Sequence, residues 1–480
     1  MGSKDAFFCT FCSLLLFCFS SKCLSSELDL PQTALVEVDA SWEVSRKIPD
    51  TLFGLFFEEI NHAGAGGIWA ELVSNRSNSQ FDKHSSWKLK NSVALRMEIL
   101  CENCPAGGVG IYYPGFWGMG HGFRKELIYM LLELRPQFLH FPGISHHDEV
   151  DTIIIEPFVK DVLDSLEFAR GSAESTWGSV RSAMGHPERF PLKYVAIGNE
   201  DCGKEFYRGN YLKFYDAIRK AYPDIQMISN CDGSSRPLDH PADLYDFHVY
   251  TSAANLFIMK NKFDRTSRIG PKVFVSEYAV NEQRDAGKGS LLASLAEAAF
   301  LTGLEKNSDV VQMASHAPLF VNDNDSTWNP DAIVFNSWQQ YGTPSYWVQT
   351  YFRESSGSVI HPITISSRYS DSLAASAITW QDSEDIFLRV KIVNFGPNAV
   401  NLTISSRGLQ DGVNTAKSTV TVLTSGNFLD ENSFSEPNKV VPVESELPNA
   451  AEVMEAVLPP FSFTSFDLAL DQYSKLVAEM

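Results

Sequence analysis

Two short apolar runs of this 480-residue sequence each finish on a glutamate, YVAIGNEDCG at 194–203 and VFVSEYA at 273–279. Glu200 and Glu277 are the residues whose type and placement promise chemistry. Two carboxylates at one site are what glycosidic bond cleavage requires: one protonated to assist the leaving oxygen, the other ionised to attack the anomeric carbon. Mutual repulsion in a shared pocket is expected to raise the pKa of one of them. Other strand-like runs also end on polar groups, namely Glu58 with Glu59, Asn199 beside Glu200, His248 with Tyr250, and Tyr278 after Glu277. The plain alternative is that strand-terminal glutamates cap the helices that follow. Two of them behind clean apolar strands favour catalysis. For Glu58 and Glu59 the alternatives are a ligand to sugar hydroxyls and a solvated turn, and for His248 a core histidine satisfied by backbone. His146 and His147 lack a third ligand at metal spacing and read as loop residues.

Placing these residues together demands a particular scaffold. From Thr51 onward short apolar runs alternate with helical patterns, the signature of βα units around a parallel sheet. Strands are predicted at 52–58, 137–142, 194–200, 225–231, 245–250, 273–279 and 309–315. Helices are predicted in EPFVKDVLDSLEFARG, YLKFYDAIRKAY and SLLASLAEAAFLTGLEK. In a (β/α)8 barrel the chemistry gathers at the C-terminal ends of the strands, where these polar residues stand, yet closure needs eight strands and this chain supplies seven. After residue 352 helical patterns cease. AASAITWQ, IFLRVKIVNFG, AVNLTISSRG, STVTVLTS and FSFTSFDLAL read as an antiparallel β-sandwich of about 120 residues, to which the alternating run 33–48 is added. The expected organisation is a leader at 1–26, a strand lent to the sandwich within 27–50, a barrel over 51–350 and the sandwich over 351–480.

A formal charge of −20 excludes a nucleic-acid or anionic-membrane partner and suits a neutral substrate. In the first 26 residues one lysine, Lys4, precedes an apolar run at 6–20, and small residues follow at 25 and 26, the pattern of a secretory signal peptide, so a secreted, cell-wall location is expected. Four of the eight cysteines would leave with it. Cys101, Cys104, Cys202 and Cys231 remain, enough for one or two disulfides in an oxidising compartment. Sequons begin at Asn75, Asn324 and Asn401.

The motifs IPDTLFGLFFEEINHAGAGGIWAELVSNR, YVAIGNEDCG, YDFHVYTSA, GPKVFVSEYAV and WNPDAIVFNSWQQYGTPSYWVQTYF resemble the plant branch of the family-51 glycoside hydrolases, the α-L-arabinofuranosidases. The resemblance implies a retaining double displacement with Glu200 as acid/base and Glu277 as nucleophile. It also implies that Asn199 holds the sugar 2-hydroxyl and that Glu58 and Tyr250 line the pocket, to which His248, by its place at a strand end, is added as a substrate-binding residue. It implies neither metal nor organic cofactor, and a cell-wall polysaccharide bearing arabinose as substrate. Two departures stand out. Residues 72–118 correspond only to the opening of an inserted carbohydrate-binding-like module, and FLHFPG runs directly into ISHHDEV where relatives carry a loop, a helix and the third barrel strand. Unpaired edges in a closed core cost on the order of 1–3 kcal/mol per buried backbone group, so a barrel one strand short is expected to rearrange or to fold poorly. A catalytically impaired glycan binder and a retaining xylosidase are therefore the alternatives.

Overall fold

A computed structural model of the protein describes residues 32–58, 124–140, 154–326, 328–329, 331–383, 385–409 and 412–471. The leader, the remnant at 72–118, Asn75, Glu59, the His146–His147 pair, Cys101 and Cys104 lie outside the described residues. Among the described residues no helix is long and apolar enough to cross a membrane.

All seven barrel strands form: β1 (Phe53–Phe56), β2 (Leu139–His140), β3 (Tyr194–Ile197), β4 (Gln226–Ser229), β5 (Leu244–Thr251), β6 (Lys272–Val280) and β7 (Val311–His316). They pair in parallel in the order β2-β1-β7-β6-β5-β4-β3. This is the circular order of a βα barrel interrupted between β2 and β3, where the sequence lacks a strand. Among the described residues the expected rearrangement takes the form of an open, curled sheet. Its two edges are blunted by shortness, two residues in β2 and four in β3, which limits the row of unpaired backbone groups. Burial follows position in the sheet. Ala196 on edge strand β3 is exposed, whereas β6 is buried at every position after Lys272.

The helices form where the patterns place them. α1 (Glu156–Arg170) stops at Gly171, and α2 (Tyr207–Ala221) starts four residues before the predicted run. Their apolar faces cover β3 and β4 through Leu166, Tyr211, Phe214 and Ile218, packed with Ile197 and Met227. α3 (Leu291–Lys306), capped by Ser290, is buried on nearly every side, which its run of alanines and leucines permits. One side meets the barrel and the other the sandwich.

The C-terminal region contains a four-stranded and a seven-stranded sheet around a core that includes Val36, Val38, Leu388, Val390, Ile404 and Leu468. The N-terminal strand Gln32–Asp39 sits inside the four-stranded sheet. It pairs antiparallel with Ile363–Ser366 but parallel with Val400–Arg407. The sandwich is thus antiparallel except where a strand from the opposite end of the chain enters it.

Barrel and sandwich are joined by a buried ion pair. Lys391, an inward-facing charge in the strand Asp385–Asn394, donates to Glu305 of α3, which also accepts from Ser355 and Ser376, and both charged side chains are fully buried. Removing one member of such a pair leaves an uncompensated buried charge. Glu305→Ala should therefore cost about 3–5 kcal/mol, read as a lowered midpoint in chemical unfolding. Glu305→Leu combined with Lys391→Met should recover most of that loss.

Candidate active site

The chain leaves β3 through a turn that only certain backbones can make. Gly198 has φ +90°, and a Cβ there would meet the Tyr207 ring at 2.7 Å. Glu200 has φ +57°, a left-handed conformation that costs a non-glycine residue about 1–2 kcal/mol. Neighbours hold the turn in place. The Asn199 amide donates to Asp201 Oδ2 (3.1 Å), the Asp201 amide to Asn230 Oδ1 (2.5 Å), and Lys204 pairs with Asp201 at 2.7 Å. Cys202 is disulfide-bonded to Cys231 at the end of β4, a pairing that sequence reasoning left open.

The second half of the site rests on a register shift. Asp246 of β5 stands opposite Phe274 of β6, but His248 stands opposite Glu277, so β6 carries one extra residue. Such a bulge re-aims side chains. Consecutive residues Ser276 and Glu277 consequently both reach the Asp246–His248 pair. Ser276 Oγ donates to Asp246 Oδ1, and Glu277 Oε2 lies 3.6 Å from His248 Nδ1. The Tyr250 hydroxyl donates to Glu277 Oε2 at 2.7 Å. His248 occupies the centre, with Nε2 2.9 Å from Asp246 Oδ2 and Nδ1 3.1 Å from Glu200 Oε1. Carboxylate oxygens of Glu200 and Glu277 and a ring nitrogen of His248 all lie within 4.8 Å of one another.

The electrostatics divide the site. Burial opposes charge on His248, but its hydrogen bond to Asp246, the Asp246 charge and then Glu277 and Glu200 outweigh it, raising the imidazole to about 9. His140, more deeply enclosed and with no hydrogen-bonded carboxylate, is pushed down to about 4 by burial and stays neutral. Asp246 is held below its ordinary value: burial works against its charge, and His248 and Ser276 overcome that penalty. Burial raises Glu277 to about 7; the His248 cation and the Tyr250 hydroxyl act against this, while Asp246 and Glu58 add to it. The upward shift thus originates in burial, not in repulsion between the two candidate carboxylates. Burial and the Glu277 charge push the Tyr250 phenol up, so it remains a donor. A protonated His248 has no lone pair to offer a cation, so these three groups are better suited to hydrogen bonding than to ligating a metal.

Among the described residues, every substrate-site residue singled out in the sequence falls at this end of the sheet. Glu200, His248, Tyr250 and Glu277 are in direct contact as described. Glu58, half-buried just past β1, is close enough for its charge to raise both Tyr250 and Glu277. Asn199 is exposed beside Glu200. Sequence reasoning missed Asp246, Ser276 and Trp328. The Asp-x-His spacing within one strand, which puts both side chains on one face, was available as a signal for Asp246. Trp328 sets its ring edge-on to Tyr250 at 5.5 Å and forms an aromatic wall beside it; nothing local marked it. The sequon residues Asn324 and Asn401 are both exposed.

A curled parallel sheet with two carboxylates at its C-terminal rim and a β-sandwich packed behind it defines a glycoside hydrolase of the barrel type. Comparison with known proteins narrows the class. Residues 139–268 match the α-L-arabinofuranosidase 1 domain and residues 276–462 the α-L-arabinofuranosidase C-terminal domain. The chain is 45% identical to α-L-arabinofuranosidase 1 of Arabidopsis thaliana, across 96% of this chain and 95% of the relative. It is 42% identical to α-L-arabinofuranosidase 2 of the same plant, across 92% of each. The protein belongs to the α-L-arabinofuranosidase family. The first of these alignments runs over 645 positions against the 480 residues present here, so the relative has internal segments with no counterpart in this chain. The fold agrees with that of the arabinose-bound MgGH51 α-L-arabinofuranosidase, with a TM-score of 0.75 at 19% identity, covering 91% of this chain and all of that one. It also agrees with the α-L-arabinofuranosidase of Thermotoga maritima in its arabinose complex, with a TM-score of 0.64 at 17% identity and the same coverage.

Proposed function

We propose that the protein is a retaining exo-glycosidase releasing terminal α-L-arabinofuranosyl residues from cell-wall polysaccharides such as arabinoxylan, arabinan or arabinogalactan. The observation that carries this reading is the approach of Glu200 and Glu277 oxygens to within 4.8 Å. Retaining enzymes bring their carboxyl groups to about 5–5.5 Å, whereas inverting enzymes leave about 6.5–9.5 Å for a water between them.

Exposure assigns the roles within the pair. The Glu277 side chain is 11% exposed and lies at the floor of the site, placed to attack the anomeric carbon from below. The Glu200 side chain is 64% exposed, facing the direction in which a leaving group exits and water enters. In the first step Glu277 forms the bond to the anomeric carbon as the glycosidic bond breaks, and Glu200 gives its proton to the departing oxygen. In the second, Glu200 takes a proton from water, which displaces Glu277 and releases arabinose with its configuration retained. The His248 imidazolium, between the two carboxylates, stabilises negative charge on whichever is ionised. Asn199 is placed to hold the 2-hydroxyl, and Glu58, Tyr250 and Trp328 to enclose the furanose. Secretion through the N-terminal leader, with glycans on the exposed Asn324 and Asn401, belongs to the same reading.

Proton NMR of a fresh digest of 4-nitrophenyl α-L-arabinofuranoside should show the α-anomer of arabinose first, with the β-anomer growing in only by mutarotation. Release of the β-anomer first would overturn the retaining mechanism. Release of xylose from the matching xyloside, with the arabinofuranoside untouched, would overturn the sugar assignment.

A further inference from the structure

We infer that the Cys202–Cys231 disulfide is a positioning element for the acid/base Glu200, an inference that rests on the catalytic roles proposed above. Glu200 belongs to the turn after β3, and β3 is an edge strand. Among the described residues its one strand neighbour is β4. The named restraints that anchor the turn to a neighbouring strand accordingly come from the β4 side. The Asp201 amide is held by Asn230, the Asn230 amide donates to the Tyr207 hydroxyl at 2.8 Å, and that hydroxyl donates to the Ile197 carbonyl at 3.0 Å. The disulfide adds the covalent tie, joining the residue two beyond Glu200 to the residue after Asn230.

The left-handed backbone of Glu200 makes that tie consequential. A side-chain-bearing residue stays at φ +57° only where its surroundings over-determine it. With the bond cut, the turn is free to relax toward ordinary φ, carrying the carboxylate away from His248 Nδ1, now 3.1 Å distant. Glu277 is held separately, by its place in β6 and by the Tyr250 hydroxyl of β5, and the β4 end of the disulfide reaches its surroundings only through the long Asn230 Nδ2 to Asp246 Oδ2 contact at 3.4 Å. The disulfide thus acts far more directly on one catalytic carboxylate than on the other.

This selectivity gives a kinetic signature that general destabilisation lacks. A nitrophenolate departs with little proton assistance, whereas an alkoxide requires the proton from Glu200. Water attacking the glycosyl-enzyme requires Glu200 as base, whereas azide requires none. Cys202 is exposed, so a dithiol reaches the bond. Dithiothreitol supplies two electrons and two protons, converts the disulfide to two thiols, and closes to its own cyclic disulfide.

The experiment compares oxidised enzyme, dithiothreitol-treated enzyme and the Cys202→Ser/Cys231→Ser variant, each checked for an intact thermal transition. Loss of the bond should lower kcat/KM for methyl α-L-arabinofuranoside about 10- to 100-fold while changing that for the 4-nitrophenyl glycoside less than about threefold. Azide should raise kcat on the nitrophenyl substrate for the reduced enzyme and not for the oxidised one. The serine variant should match the reduced enzyme and ignore dithiothreitol. Equal losses on both substrates, no loss on either, or unfolding on mild reduction would overturn the inference. An oxidised enzyme inactive on both substrates would instead sink the arabinofuranosidase reading.

Discussion

Glu277→Ala should lower turnover of 4-nitrophenyl α-L-arabinofuranoside by a factor on the order of 10⁴ or more, the scale on which removing a covalent nucleophile acts. The reason lies in what else occupies the floor of the site. Tyr250 donates its hydroxyl to Glu277 and His248 offers an imidazolium, and neither is a nucleophile in those states. With the carboxylate gone, no described group takes over the attack, and the substituted enzyme should retain only binding. Glu200→Ala should behave differently. Its nitrophenyl substrate still forms the glycosyl-enzyme, which then accumulates for want of a base, so a burst followed by slow turnover is expected and azide should accelerate the slow phase. Stopped-flow absorbance at 400 nm reads both. Full activity of Glu277→Ala would remove the nucleophile assignment, and a Glu200→Ala enzyme without burst or azide response would remove the acid/base assignment.

The parts of this site that the sequence made legible are those that leave a local trace. Each barrel strand is a short apolar run ending in polar residues, and Glu58, Glu200, His248, Tyr250 and Glu277 could be picked out because polar groups stand at those strand ends. The gap between β2 and β3 was legible for the same reason, since between HFPG and the helix at Glu156–Arg170 the longest apolar run is the three residues Ile153 to Ile155, which lead directly into that helix. What stayed hidden depends on contacts between distant segments. The β6 bulge exists only relative to β5, and without it Ser276 and Glu277 would point to opposite faces. The Cys202–Cys231 pairing requires β3 beside β4. The counter-charge of the lysine in LRVKIV, Glu305, lies 86 residues away and becomes its partner only in the fold. The origin of the Glu277 shift was misjudged for a related reason: burial is a property of the assembled site, whereas repulsion between two glutamates can be imagined from spacing alone.

Asp246→Asn should move the acidic limb of the kcat/KM profile to higher pH. In the free enzyme Glu277 must be ionised to attack, and with its carboxyl at about 7 the rate should rise through neutrality. That position is a balance in which burial raises the value and the His248 cation opposes it more strongly than Asp246 reinforces it. His248 keeps its proton chiefly because Asp246 accepts from Nε2 and outweighs burial; without that charge the ring should give up its proton at lower pH. Glu277 then loses its nearest cation and ionises only at higher pH. A limb displaced by one unit is a tenfold loss at any pH below it, so activity at pH 6 should fall on the order of tenfold while activity near pH 9 falls far less. Stability runs the other way. Both Glu277 and His248 have values raised above their unfolded ones, so each binds its proton more tightly in the folded protein. The Glu277 contribution is complete below its ordinary 4.5 and lost as pH rises through about 7; that of His248 is complete below 6.5 and lost through about 9. The wild-type enzyme should therefore gain activity through neutrality while its melting temperature declines, and Asp246→Asn should flatten the part of that decline due to His248. A pH profile of Asp246→Asn superimposable on the wild type would show that His248 does not set the ionisation of Glu277.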